Sequence, residues 1–88
     1  MNKTYTINWT TRFKRDYKKC IKQGRDKSLF EDIVSLLERG KPLPKELEDH
    51  PLSGNWKGYR DCHIEYDWVL IYAISHDDKT VDFARMGS

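Results

Sequence analysis

Apolar positions change their period twice along the chain. Tyr5 to Trp9, reading YTINW, is dense in β-forming side chains and predicts a first strand. Phe13, Tyr17, Cys20 and Ile21 then recur at i, i+4, i+7 and i+8, one face of a helix, while Arg12, Arg15, Lys19 and Lys22 line another. Thr10 or Thr11 supplies a hydroxyl to cap that helix, and Gly24 ends it. Leu29, Ile33, Leu36 and Leu37 repeat the helical spacing up to Gly40, and Ser28 to Glu31 has the spacing of a capping box. Three prolines and a glycine between Lys41 and Gly54 predict an ordered loop without long regular structure. Beyond it the period is two. Strands are predicted at Trp56 to Glu65, Trp68 to Ser75 and Thr80 to Met86, with His76 to Lys79 as a hairpin turn.

The order β-α-α-β-β-β predicts an α+β fold, two N-terminal helices packed on a small, largely antiparallel sheet. At 88 residues the chain is read as a single domain, 1–88, with one modest core. Mean hydropathy is -0.85, so the surface is heavily charged. Two cysteines far apart, Cys20 and Cys62, argue against a disulfide framework or a zinc site. MNKTYTINWT has no targeting pattern and no run is long enough to span a membrane, so a cytoplasmic location is expected. The net charge of +2 conceals an asymmetry: eight basic residues face two acids between Arg12 and Lys27, whereas from Glu46 onward nine acids face four basic residues. The basic end suits a polyanion, or is simply a solvated face.

Candidate chemistry concentrates in the second strand. Alternation puts Tyr59, Asp61, His63 and Glu65 on one face, where a carboxylate can orient an imidazole two residues away and favour its charged form. The same pattern also describes a plain solvent-facing strand. His50 precedes Pro51, which biases it toward an extended backbone and can aim its ring, or leave it an ordinary loop residue. Trp68 either packs in the core or stacks on a base, and Asp67 beside it is a weaker candidate. In the third strand both Trp68, Leu70, Tyr72, Ile74 and Val69, Ile71, Ala73 are apolar, so both faces are expected to be covered. Arg85 shares the parity of Val81 and Phe83 and either snorkels to water or offers its fork to a phosphate.

With these residues laid out, the stretch DHPLSGNWKGYRDCHIEYDWVLIY, Asp49 to Tyr72, resembles the central block of the YafQ-like branch of the RelE toxins, bacterial type II toxin-antitoxin mRNA interferases. The helix pair, the PLP before the block and the closing FARMGS fit as well. The resemblance implies a microbial ribonuclease-like fold and an endoribonuclease that cleaves mRNA in the ribosomal decoding site, without cofactor or metal. It implies a cognate antitoxin, the ribosome and mRNA as partners, and a toxin-antitoxin hetero-oligomer. The family's catalytic histidines match His50 and His63, its aspartate Asp67, the neighbouring acid Asp61, the tryptophan Trp68, and the arginine before the closing glycine motif Arg85. In the family that motif runs on through Gly-Ser or Gly-Thr into a further histidine and a short tail, which the sequence to Ser88 does not include.

On this resemblance His50 and His63 share acid/base work and phosphate contact. Asp67 acts as base or orients a histidine, Asp61 supports, and Arg85 stabilises phosphate charge. Trp68, Lys57 and the helix residues Arg15, Lys18, Lys19 and Lys22 are the expected RNA contacts. Two other readings stay open: a toxin-fold module that binds antitoxin or RNA without cleaving, and a metal-dependent nuclease using Asp61, His63 and Asp67.

Overall fold

A computed structural model describes residues 4–88. Met1 to Lys3, part of the stretch read as lacking a targeting signal, lie outside the described residues. The elements are β1 (Thr6–Trp9), α1 (Thr11–Lys22), α2 (Lys27–Glu38), β2 (His50–Pro51), β3 (Arg60–Glu65), β4 (Trp68–Ser75) and β5 (Thr80–Gly87), with single 3₁₀ turns at Lys45–Leu47 and Gly54–Trp56. One mixed sheet runs in the order β1-β5-β4-β3-β2. Only β1 and β5 are parallel; the other pairs are antiparallel.

Thr10 caps α1, its Oγ1 accepting from the Phe13 N–H at 3.2 Å while its hydroxyl donates to the Phe83 carbonyl at 2.8 Å. That one side chain starts the helix and pins it to β5. The capping box expected at Ser28 is displaced by two residues. Asp26 is the cap, accepting from both the Ser28 N–H and the Ser28 hydroxyl, so Ser28 lies inside α2. After α2 the chain turns back through Gly40 at φ +66, where a Cβ would stand 2.6 Å from the Tyr5 ring. No side chain fits there without moving Tyr5.

The strand expected from Trp56 begins only at Arg60, because Gly54 and Gly58 adopt left-handed φ and Trp56 belongs to a 3₁₀ turn. The helices cover one face of the sheet. Trp68, Leu70 and Tyr72 of β4 pack there with Cys62, Ile64, Val81, Phe83 and Met86 against Phe13, Cys20, Phe30, Ile33 and Leu37. Phe83 carries the aromatic centre, its ring 5.0 Å from Phe13 and 5.6 Å from Phe30. Val69, Ile71 and Ala73 on the opposite face are only half-buried. The expectation that both faces of β4 are covered therefore fails: two short helices can blanket one side of five strands, and the other stays open.

Candidate active site

The open face gathers the polar residues into rows. His50 of β2 pairs with Asp61 of β3, Asp61 with Ile71 of β4, and Ile71 with Arg85 of β5. Directly opposed residues project to the same side of a sheet, so His50, Asp61 and Arg85 share one transverse row of about 14 Å, three strand spacings. His63 lies on the same face in the neighbouring row, paired with Val69, which pairs in turn with Gly87.

Arg85 joins this row through a bulge. Tyr72 opposes Phe83 but Ile71 opposes Arg85, so Ala84 is an extra residue and parity flips after it. Met86, not Arg85, continues the buried face of Val81 and Phe83. Arg85 therefore does not extend the apolar face as its spacing predicts, and the bulge that moves it is what aligns it with His50 and Asp61.

Both histidines are held by their backbone surroundings. His50 Nδ1 lies 2.7 Å from the Glu48 carbonyl and His63 Nδ1 lies 3.2 Å from the Tyr66 carbonyl. A carbonyl can only accept, so each Nδ1 carries the proton and Nε2 keeps its lone pair free. His50 Nδ1 is also 3.1 Å from Asp61 Oδ1. With its hydrogen committed to Glu48, Nδ1 has none to give that oxygen, and the buried Asp61 Oδ1 makes no hydrogen bond among the described residues.

Asp67 is held elsewhere. It sits in the β3–β4 turn, where Arg25 donates to its Oδ1 at 2.8 Å and to its main-chain carbonyl at 3.3 Å. The Arg25 hydrogen bond and charge hold the Asp67 carboxyl below the usual range. Asp67, Glu65 and Arg25 line a cleft with Ser88 rather than joining the His50 row. Asp61, His63 and Asp67 do not converge: among the described residues no group of three or more His, Cys, Asp or Glu side chains is arranged to hold a metal.

Trp68 cannot serve as a stacking platform, because its side chain is fully buried. It packs in the core with the Arg25 guanidinium 5.7 Å from its ring, which leaves no face for a base. The helix residues Arg15, Lys18, Lys19 and Lys22 are all exposed, and Lys57 is exposed just after the Gly54–Trp56 turn. Lys19 borders a cleft of about 200 Å³ shared with Asp16 and Arg85, so the basic helix and the Arg85 end of the row adjoin.

Two supporting carboxylates, Asp49 and Asp16, are not among the residues that the sequence patterns single out. Asp49 accepts from Arg60 Nε at 3.1 Å and from the Tyr72 hydroxyl at 2.6 Å, locking the chain one residue before His50. Asp16 accepts from Arg85 Nε at 2.7 Å. Its position was legible: Asp16 lies three residues after Phe13 and four before Cys20, on the face that packs against the sheet. Nothing local marks the Asp49 cluster, whose members are up to 23 residues apart.

The model of the bacterial type II toxin family YafQ matches residues 5–88. The chain belongs to the YafQ toxin family. The mRNA interferase toxin YafQ of Escherichia coli K12 is 40% identical over 83 residues, covering 93% of this chain and 88% of that protein. The crystal structure of YafQ from E. coli BL21(DE3) superposes with a TM-score of 0.88 at 39% identity, over 96% of this chain and 92% of that one. YafQ in the E. coli DinJ-YafQ toxin-antitoxin complex superposes with a TM-score of 0.86 at 38% identity, over 97% and 92% of the two chains. The α+β fold is thus that of YafQ. Among the described residues no helix is long and apolar enough to cross a membrane.

Proposed function

We propose that this YafQ-family chain is an endoribonuclease toxin that cleaves mRNA engaged with the ribosome, and that a cognate antitoxin binds and silences it. The observation that carries the reading is the pair of histidines on one open sheet face, each with Nδ1 committed to a backbone carbonyl and Nε2 left free, with an arginine in the His50 row. The mRNA interferase activity of the E. coli relative and its complex with DinJ support the substrate class and the protein partner.

RNA carries its own nucleophile. Cleavage needs a base for the 2'-OH, a cation for the phosphate charge and an acid for the departing 5'-oxygen. His50 and His63 supply the proton-transfer groups, one removing the 2'-proton and the other protonating the 5'-oxygen. An unperturbed imidazole titrates near pH 6.5, close to working pH. Asp61 lies 3.1 Å from His50 Nδ1 and helps to orient the ring, and Arg85 faces the phosphate, its Nε committed to Asp16 while its terminal nitrogens remain for the anion. Asp67 is a positioning residue, since a carboxylate already paired with Arg25 and lowered in pKa is a poor base at neutral pH.

The test is to add the purified chain to a translation reaction and to the same mRNA without ribosomes, then map breaks by primer extension. Breaks at defined sites only in the translated message, with 5'-hydroxyl ends and suppressed by the cognate antitoxin, are expected. Antitoxin binding without any cleavage identifies a non-catalytic binding module instead.

A further inference from the structure

Trp56 belongs to the same open face, and nothing in the acid/base scheme uses it. The residue is 37% exposed, one of three large hydrophobics left at the surface among the described residues. It borders a cleft of about 380 Å³ whose floor is Val69 and Ile71 and whose far wall is Arg85. Ile71 is the residue between Asp61 and Arg85 in the His50 row, so this cleft opens directly onto the site. Its occupant must present an apolar surface to Trp56, Val69 and Ile71 and an anion to Arg85. A nucleotide has both.

The indole is also fixed before any ligand arrives. The Leu52 N–H donates to the Tyr59 carbonyl at 2.8 Å and the Tyr59 N–H donates to the Trp56 carbonyl at 3.0 Å, tying the turn at both ends. Tyr59 meets the indole edge-on, with centroids 5.2 Å apart and planes at 89°. A ring packed against one aromatic neighbour and held by a short turn can keep a face for stacking at little ordering cost.

We propose that Trp56 is the base-stacking platform of this site, holding a base of single-stranded RNA so that the adjoining phosphate meets Arg85. The role resting on Trp68 by sequence spacing is thereby supplied by a different tryptophan. This inference rests on the endonuclease reading for its consequence in cleavage, but base stacking itself is observable without turnover. Loss of one base–aromatic stack corresponds to roughly a 5- to 150-fold loss of affinity.

The experiment follows the Trp56 indole resonance in the full chain by NMR, assigned with Trp56→Phe, while titrating a short single-stranded RNA of 2'-deoxy sugars at its cleavable steps. An abasic oligomer of equal length and charge is the comparison. The expected result is an upfield ring shift with the base-bearing strand alone, with affinity lost in Trp56→Leu and largely restored in Trp56→Phe, all three proteins having similar melting temperatures. In translated-mRNA cleavage, Trp56→Leu then raises KM more than it lowers kcat. A base-induced ring shift in a protein that cleaves nothing upholds the stacking role and removes the endonuclease. Cleavage that proceeds equally well in folded Trp56→Leu, or equal ring shifts with base-bearing and abasic strands, overturns the proposal. So does a Trp56→Leu variant impaired only in antitoxin binding, which gives the cleft to the protein partner.

Discussion

Asp16 Oδ2 accepts from Arg85 Nε at 2.7 Å and from the Met86 N–H at 3.0 Å, so one carboxylate of α1 fixes both the side chain and the backbone of β5 just past its bulge. Partial burial pushes the Asp16 carboxyl up, but the Arg85 and Met86 hydrogen bonds outweigh it and the net shift is downward. A lowered carboxyl gives stability that is present above its unfolded value near 3.8 and lost as pH falls through the lower folded value. Asp16→Ala should therefore cost about 1.5–3 kcal/mol at pH 7, the range for hydrogen bonds to charged groups. Urea unfolding between pH 7 and 3 checks this, with the difference from the parent shrinking at the acid end. An unchanged difference across that range contradicts it.

Arg85 should matter to turnover beyond the stability it shares with Asp16. Removing a single charge-stabilising donor costs about 10²- to 10³-fold in rate, so Arg85→Ala is expected to lose cleavage on that scale. Arg85→Lys should recover little, because an ammonium cannot bond Asp16 through Nε and present a fork at the same time. Single-turnover cleavage beside thermal melting separates the two effects.

The Asp49 cluster is expected to support His50 without taking part in the reaction. Tyr72→Phe removes the 2.6 Å donor to Asp49 and should destabilise by about 1–3 kcal/mol, the cost of leaving a partly buried acceptor short of a partner. Cleavage should fall with it as β2 loosens. A variant that melts like the parent would show that Arg60 alone satisfies Asp49.

Alkali should weaken the fold before it affects the surface. Burial pushes the Cys62 thiol up to about 12, with the nearby Asp49 and Asp61 charges adding to it, and burial also raises the Tyr72 phenol. Groups raised this way give stability that is whole below their unfolded values, near 9 and 10, and declines as pH climbs toward the folded ones. Each contributes a slope of at most about 1.4 kcal/mol per pH unit. Denaturant midpoints should fall from pH 9 upward, less so in Cys62→Ala once its lower starting stability is allowed for. In the native state Cys62 should resist alkylation at pH 8.

The basic face of α1 predicts salt-sensitive ribosome binding. Neutralising Arg15, Lys18, Lys19 and Lys22 together should flatten the log-affinity against log-salt slope by up to about 3, at roughly 0.7–0.9 per phosphate contact. Ribosome co-sedimentation over a salt series measures it. An unchanged slope removes the helix from the interface.

Much of this architecture is legible in one sequence because its periods are local. The helix faces of Phe13 and Ile33 and the alternation of β3 follow from residues within two turns or one strand. What escaped depends on partners distant in sequence or on backbone irregularity. Binary spacing puts Arg85 on the wrong face, because a bulge at Ala84 leaves no mark in it. Period alone makes Trp56 a strand residue, because it does not register Gly54 and Gly58 as left-handed positions. Only burial separates the two roles open to Trp68. Alternation puts Asp61 and His63 on one face, and strand register adds His50 to it.

The central claim is that His50 and His63 are the proton-transfer groups of an mRNA endonuclease, and cleavage of a translated message by the two folded single variants tests it most directly. His50→Ala and His63→Ala, each melting near the parent temperature, should cleave about 10²- to 10⁴-fold more slowly, the usual contribution of one acid or base. If either cleaves at the parental rate, that histidine is not in the mechanism; if both do, the account of this face as an active site is wrong.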